Sequence, residues 1–448
     1  MSTFDRLSAW IEGQMAVRGW PGLSIAVVRD QELVWARGFG WADVERRVAA
    51  TPATRYRVAS ITKTFTATAI LQLRDAGKLR LDDEVRAHLP WFTPATPYAD
   101  APAITIRHLI THTAGLPREA PFPYWTDGAF PALAQIRAAI AAQASVLPTE
   151  TRWKYSNLAL IVAGEIVAAA SGQSWGAYLM RHVLEPLGMR DTLVDTPAPD
   201  DPRLARPYGR RLASGERLPA HASDVAGVSA AAGLTTTVED LARFVMQQLR
   251  TGPGSSGILR ASTLLEMQRI HWLEPEWQAG WGLGFHIVRV GGRTLVGHAG
   301  VLRGYRSDYR FAPADKLGVI VLINGDDGEP RVVVDKAFEW LGPELAPASP
   351  PPAAPDPAWA RYVGRYRGPM RDTEVLVDSG RLIMIQPALP DPMPVASTLV
   401  PAGTHTFRIE TSDGFGNHGE TAAFDLDAAG RVTRLRIGPN YTDRVSDW

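Results

Sequence analysis

The sequence predicts an α+β domain, an antiparallel sheet flanked by helices with a helical subdomain, followed by a small all-β, barrel-like domain. Three observations predict it. Strand-like runs stand at both ends of the first 345 residues, with helices between them. A Pro/Ala-rich stretch, "APASPPPAAPDPAW", then interrupts the chain and reads as a semi-rigid linker. Beyond it lie short alternating strands with glycine-containing turns, the pattern of a small barrel. A chain of 448 residues exceeds one small domain. The expected division is a first domain over 1–345, a linker over 346–358 and a β-domain over 359–448.

Residues 3–18 read as an amphipathic helix. "GLSIAVV" and "ELVWARGFGWADV" read as two strands joined by a polar turn at 29–31. Ser60 stands at the start of a helix whose apolar periodicity runs through Leu73 to Gly77. From about residue 80 to 275 helices alternate with Pro-rich loops. "WGLGFHIVRV", "RTLVGHAG", "YRSDYRFAP" and "LGVIVLIN" read as strands, and "RVVVDKAFEWLG" as a closing helix. One sheet built from both ends of this domain follows, without regular βαβ alternation.

Composition excludes several classes of function. The 47 basic and 47 acidic residues cancel, which gives no support for nucleic-acid or anionic-membrane partners. With zero Cys there is no disulfide, thiol nucleophile or Cys-based metal site. No run reaches the roughly 18 apolar residues of a membrane helix. The longest, "YSNLALIVAGEIVAAASG", carries Glu165 in its middle. The first residues lack a basic leader before an apolar stretch, so a cytoplasmic location is expected.

Three motifs read better as structure than as sites. Gly172-Gln173-Ser174-Trp175-Gly176 matches a nucleophile elbow, which requires a strand before the serine. The preceding segment reads as helical, so Gly172 suits a helix C-terminus and Ser174 an N-cap. The G-x-G-x-x-G of residues 414–419 opens no helix. His108 and His112 have zinc-helix spacing, but Leu109 stands where the metalloprotease pattern has Glu, so packing or capping is expected of both.

A fourth stretch, "RVASITKTFTA", carries an electrostatic misfit. Ser60 stands where an N-cap belongs, yet Lys63 occupies the slot that favours Glu or Gln in a positively polarised first turn. A serine hydroxyl is a weak nucleophile that needs an adjacent base. A lysine one turn away serves if burial and the helix N-terminus favour its neutral amine. An N-cap beside a snorkelling lysine explains the stretch as well, and the two readings stay open on it alone.

"WKYSNLAL", with Tyr155 and Asn157 at the start of a helical run, and "LVGHAGVLRGY", with His298-Ala299-Gly300 ending a strand, are the two further stretches. There Gly300 is expected to let a ligand approach the backbone. Together with Ser60 and Lys63, in this order and separation, they resemble the serine β-lactamase and penicillin-binding-protein-like superfamily, in its esterase and D-peptidase (class C-like) branch. The resemblance covers about residues 5–342, supported by "RHLITHTAGLP", "EPLGMRDT" and "AAGLTTTVEDLARF". The C-terminal segment is similar to the lipocalin-like domains of some members.

The resemblance implies a serine hydrolase without metal or cofactor, acting on a small-molecule ester, amide or short peptide. It makes Ser60 the acylated nucleophile, and Lys63 and Tyr155 the pair that moves its proton, leaving open which is the base. Asn157 is expected to hydrogen-bond Lys63 and the substrate. The backbone N–H groups of Ser60 and Val301, the latter just after Gly300, form the oxyanion hole. Penicillin-hydrolysing members usually carry Lys-Thr-Gly where this chain has His298-Ala299-Gly300, so a largely neutral imidazole replaces a permanent cation and strong β-lactamase activity is not expected. The rivals are a non-catalytic scaffold of this fold and a zinc hydrolase using His108 and His112. Trp125, Trp153 and Trp281 stay divided between cleft and core, and assembly into a homo-oligomer stays open.

Overall fold

The structure is a computed structural model and describes residues 2–446, apart from 195, 199, 222, 253, 255–256 and 346–355. The chain forms two compact units, Met1–Pro347 and Ala348–Trp448. Most of the expected linker lies outside the described residues. Its last three residues are described: Asp356 caps a short 3₁₀ turn at Pro357–Arg361, its carboxylate accepting from Ala358 N at 2.8 Å.

In chain order the elements that frame the first unit begin with α1 (Thr3–Arg18), β1 (Gly22–Arg29), β2 (Glu32–Asp43), β3 (Val48–Ala49) and β4 (Tyr56–Arg57). Next come α2 (Thr62–Asp75), α3 (Asn157–Ser171), β5 (Thr235–Thr236) and α4 (Val238–Gln248). The unit closes with β6 (Trp272–Leu273), β7 (Ala279–Trp281), β8 (His286–Val290), β9 (Arg293–Leu302), β10 (Tyr305–Ala312), β11 (Leu317–Ile323) and α5 (Pro330–Leu345). The main sheet runs β3-β2-β1-β11-β10-β9-β8-β7-β6, with antiparallel pairing throughout. The first and last strand groups thus meet at β1 and β11, as the apolar runs at both ends of the domain predict.

Those central strands are apolar on both faces because both faces are covered. Ile25 and Val27 of β1 and Val319, Val321 and Ile323 of β11 pack with α1 and α5 through Leu7, Ile11, Val334 and Phe338. The alternate residues Ala26, Val28, Ile320 and Leu322 join the larger core that holds α2, α3 and α4. This period-2 split explains the unbroken hydrophobic runs. β4 and β5 form a separate two-stranded ladder. Among the described residues no single helix is long and apolar enough to cross a bilayer. α3 is instead a core helix whose Glu165 pairs with Arg137.

The second unit is a closed eight-stranded meander: β12 (Gly364–Arg367), β13 (Asp372–Asp378), β14 (Arg381–Ile385), β15 (Ser397–Gly403), β16 (Thr406–Glu410), β17 (Thr421–Leu426), β18 (Val432–Ile437) and β19 (Asn440–Val445). Tyr362, Tyr366, Val375, Leu399, Phe407, Phe424 and Leu435 belong to its core. Because strands alternate in direction, loops 368–371, 386–396, 411–420 and 438–439 share one end of the barrel. That end carries Met370 and Phe415, 95% and 103% exposed, with Met393 and Val395 also exposed. Loops 379–380, 404–405 and 427–431 at the other end carry no exposed large apolar side chain.

Candidate active site

α2 begins without the cap its sequence suggests. A 3₁₀ turn at Ala59–Ile61 leads into it, and neither the turn nor the helix has a side-chain cap hydrogen bond. Ser60 is therefore not an N-cap, contrary to expectation. Its hydroxyl lies 3.0 Å from Lys63 Nζ, and Ser60 shares a cavity wall with Tyr155. The turn is held from three sides: Val58 N donates to Leu234 O at 3.1 Å, and Ile61 N and Ser307 Oγ both donate to Val58 O at 3.2 Å. Ala59, just before Ser60, is left-handed at φ 47°. A non-glycine residue pays about 1–3 kcal/mol for such a conformation and keeps it only where its surroundings over-determine it.

Lys63 is 0% exposed and donates to Ala231 O at 2.9 Å. Burial holds its amine well below the ordinary lysine range; Glu119 opposes that shift and Arg118 adds to it. The neighbouring threonines make the first half of α2 a satisfied polar interior. Thr64 and Thr66 hydroxyls donate to Ile61 O and Ala230 O, and Thr62 Oγ1 accepts from Leu234 N.

Ser156 does the capping in "YSN". Its Oγ accepts from Ala159 N at 3.0 Å and donates to Pro117 O at 2.6 Å. Asn157 N donates to Arg118 O at 2.7 Å, so the loop after "HTAGLP" is stitched to the start of α3. Tyr155 is held by His112, whose ring lies 4.4 Å away, whose carbonyl accepts from Lys154 N and whose Nδ1 accepts from Ser156 N at 3.2 Å. An accepting Nδ1 requires a neutral imidazole, and burial with Lys63 nearby pushes His112 well below the usual histidine range. Burial also raises the Tyr155 phenol above its ordinary value.

His108 and His112 therefore pack and cap. His108 Nδ1 accepts from Thr105 N at 3.1 Å, and its helix ends at Ile110, before His112. Among the described residues no group of three or more His, Asp or Glu side chains gathers as a metal site would need. Gly172 is the left-handed C-cap of α3, and Ser174 Oγ accepts from Ala177 N as an N-cap. Residues 414–419 lie in the loop between β16 and β17.

Ser60, Tyr155, Asn157, His298 and Val301 meet around a cavity of about 560 Å³, with Lys63 buried behind Ser60. Trp125, Trp153 and Trp281 line it too, which settles their divided reading in favour of the cleft. Trp281 is its hub, stacked on Trp153 at 5.4 Å and edge-on to His112 at 4.7 Å. Gly300 does not line the cavity. A Cβ there would stand 2.0 Å from Val58 O, so the glycine lets β9 close on the strap before Ser60 and not on a ligand. Asn157 also departs from expectation. Its Nδ2 donates to Glu119 Oε1 at 2.7 Å and its Oδ1 has no partner, so it makes no hydrogen bond to Lys63. His298 is neutral, pushed well below its usual range by burial and then by Lys63, and Nδ1 lies 2.6 Å from Ala299 O.

Sequence reasoning missed Arg118, Glu119, His286 and Arg310 on the cavity wall. Arg118-Glu119 had one available signal, adjacent opposite charges directly after an apolar loop. His286 and Arg310 had none, since each comes to the cavity only through sheet pairing.

A family model described as Beta-lactamase matches residues 7–343. Penicillin-binding protein 4 of Amycolatopsis lactamdurans is 29% identical over 360 residues, 77% of this chain and 90% of that protein. Protein flp of Staphylococcus aureus (strain MW2) is 27% identical over 307 residues, and the match spans only 59% of its length. The octameric penicillin-binding protein homologue from Pyrococcus abyssi superposes with a TM-score of 0.67 at 26% identity, covering 98% of this chain and 99% of that one. SurE, at 24% identity and a TM-score of 0.60, shares the fold. The chain belongs to the beta-lactamase family, within the penicillin-binding-protein-like superfamily.

Proposed function

We propose that the chain hydrolyses carboxylic esters or small amides through an acyl-enzyme on Ser60. The observation that carries this reading is Lys63 Nζ, fully buried and 3.0 Å from a serine hydroxyl that caps nothing. Ser60 Oγ attacks the carbonyl carbon as its proton passes to neutral Lys63. The carbonyl electron pair moves to oxygen, facing the N–H groups of Ser60 and Val301. When the tetrahedral adduct collapses, the bond to the leaving group breaks and Tyr155 gives that group its proton, regaining one from Lys63. Water then attacks the acyl carbon by the same route, releasing acid and free Ser60. Nucleophile and base are both side chains, so the scheme calls on no metal or cofactor. A neutral His298 offers a β-lactam carboxylate little, so slow nitrocefin turnover fits the same reading.

A D-stereospecific peptidase using the same acyl-enzyme is the second reading. It is favoured by the Glu119 carboxylate on the cavity wall, which suits a substrate amine. For either, a p-nitrophenyl ester is expected to give a burst of about one nitrophenolate per active site. The burst should vanish in Ser60→Ala; a burst surviving that change would overturn the reading.

We propose that the chain self-associates through the end of the barrel that carries Met370 and Phe415. Met370 and Phe415 are exposed there, exposed apolar side chains suit an interaction surface, and the archaeal homologue is octameric. Light scattering on the full chain is expected to give a multimer that Met370→Asp with Phe415→Asp breaks down. A monomeric unsubstituted chain would contradict it.

A further inference from the structure

Two acceptor atoms in the cavity wall are buried without a hydrogen-bond partner, Asn157 Oδ1 and His298 Nε2, on residues each 4% exposed. Leaving such an atom unpaired costs about 1–3 kcal/mol, so it calls for a ligand or another explanation. Their chemical sense follows from what the rest of each side chain does.

Asn157 Nδ2 donates to Glu119 Oε1 at 2.7 Å. Glu119 in turn takes the Tyr124 hydroxyl on Oε2 at 2.5 Å and faces Arg118 Nε at 3.3 Å. Ringed by donors, the carboxylate acts only as an acceptor, so the Asn157 amide cannot be turned over. Its oxygen is the atom left without a partner. His298 is fixed in the same way. Ala299 O also only accepts, so the ring proton sits on Nδ1 and Nε2 presents a lone pair.

The indole N–H groups of Trp153 and Trp281 are unpaired donors of the same cavity and suit substrate acceptors. The Asn157 corner differs from them by its sign, and it has the Glu119 carboxylate behind it. Arg118 does not reverse that sign: its guanidinium faces Glu119 and lies over the Tyr155 ring at 5.0 Å.

We propose that this corner seats the protonated amine of the substrate, so that Glu119, by holding Asn157 with its oxygen free, selects α-aminoacyl groups with a free amine over N-acylated or amine-free ones. The assignment rests on Ser60 as the acyl-enzyme nucleophile and deepens it by naming the acyl group. A site built around such an acceptor rejects an analogue that lacks the donor.

Binding to the Ser60→Ala chain tests it without turnover. The ligands are alanine p-nitroanilide in both configurations and propionyl p-nitroanilide, which lacks only the amine, followed at pH 7 through quenching of the cavity tryptophans. At least one alanine compound is expected to bind about tenfold or more tightly than the propionyl compound, the usual worth of a hydrogen bond to a charged group. Glu119→Gln in the same background frees Asn157 to turn over and should bring that ratio close to one. A ratio of one or below for both configurations, binding of none of the three, or a ratio unchanged by Glu119→Gln would each overturn the assignment. Absence of hydrolysis by the unsubstituted chain would count against the Ser60 reading, while the binding ratio still decides this one.

Discussion

Lys63→Met is expected to lower kcat/KM for a short-chain nitrophenyl ester by about 10³-fold or more, with the thermal midpoint little changed. The first half follows from geometry, since Lys63 Nζ is the basic atom 3.0 Å from Ser60 Oγ. The second follows from burial. The substitution leaves Ala231 O without its donor, but it also removes an amine that burial already disfavours as a cation. Lys63→Arg should be as inactive, because a guanidinium does not deprotonate. The sign of the pH dependence is set too. A lysine pKa lowered by burial puts the neutral, proton-accepting form above that pKa. Activity should therefore rise with pH through it, level off, and be lost as pH falls back through it. An activity that falls from acid toward neutral pH would contradict a lysine base.

Tyr155→Phe should cost about 10²–10⁴-fold, mainly in kcat, with folding intact. Only a hydroxyl is lost, while the ring keeps its contacts with His112 at 4.4 Å and Trp281 at 5.8 Å. Burial raises the Tyr155 phenol above its ordinary value, so it stays protonated throughout the neutral range. The variant should keep the same ascending pH limb at a lower height. If the limb disappears with the hydroxyl, Tyr155 is the base and Lys63 its partner, the reverse of the proposed roles. The two variants together thus separate the roles that the motif alone leaves open.

The parts of this fold legible in the sequence are those whose cause is local. β1 and β11 announce themselves as unbroken apolar runs because both faces of the sheet are covered. α1, α2 and α5 appear close to their expected bounds, and Gly172 and Ser174 behave as their local context predicts. The misses have non-local causes. β4 and β5 are two residues each and exist only because Tyr56 and Arg57 meet Thr236 and Thr235. β15 contains Pro401 and β19 is largely polar, so neither alternates cleanly.

The site divides in the same way. Ser60, Lys63, Tyr155 and His298 were readable as spaced motifs, and the structure brings them to one place. What each neighbour does was not readable. Gly300 answers to Val58 O, and Asn157 answers to Glu119, a residue 38 positions away. Ser60 reads as a cap until the structure places its hydroxyl beside Lys63, and Ser156 turns out to be the serine that caps.

In the proposed mechanism Ser60 is the residue acylated. Intact-mass analysis of the full chain after incubation with a serine-directed phosphonate tests it most directly. One adduct per chain is expected, assigned to Ser60 by peptide mapping and absent from Ser60→Ala. An unlabelled chain, or an adduct that persists in Ser60→Ala, would contradict it.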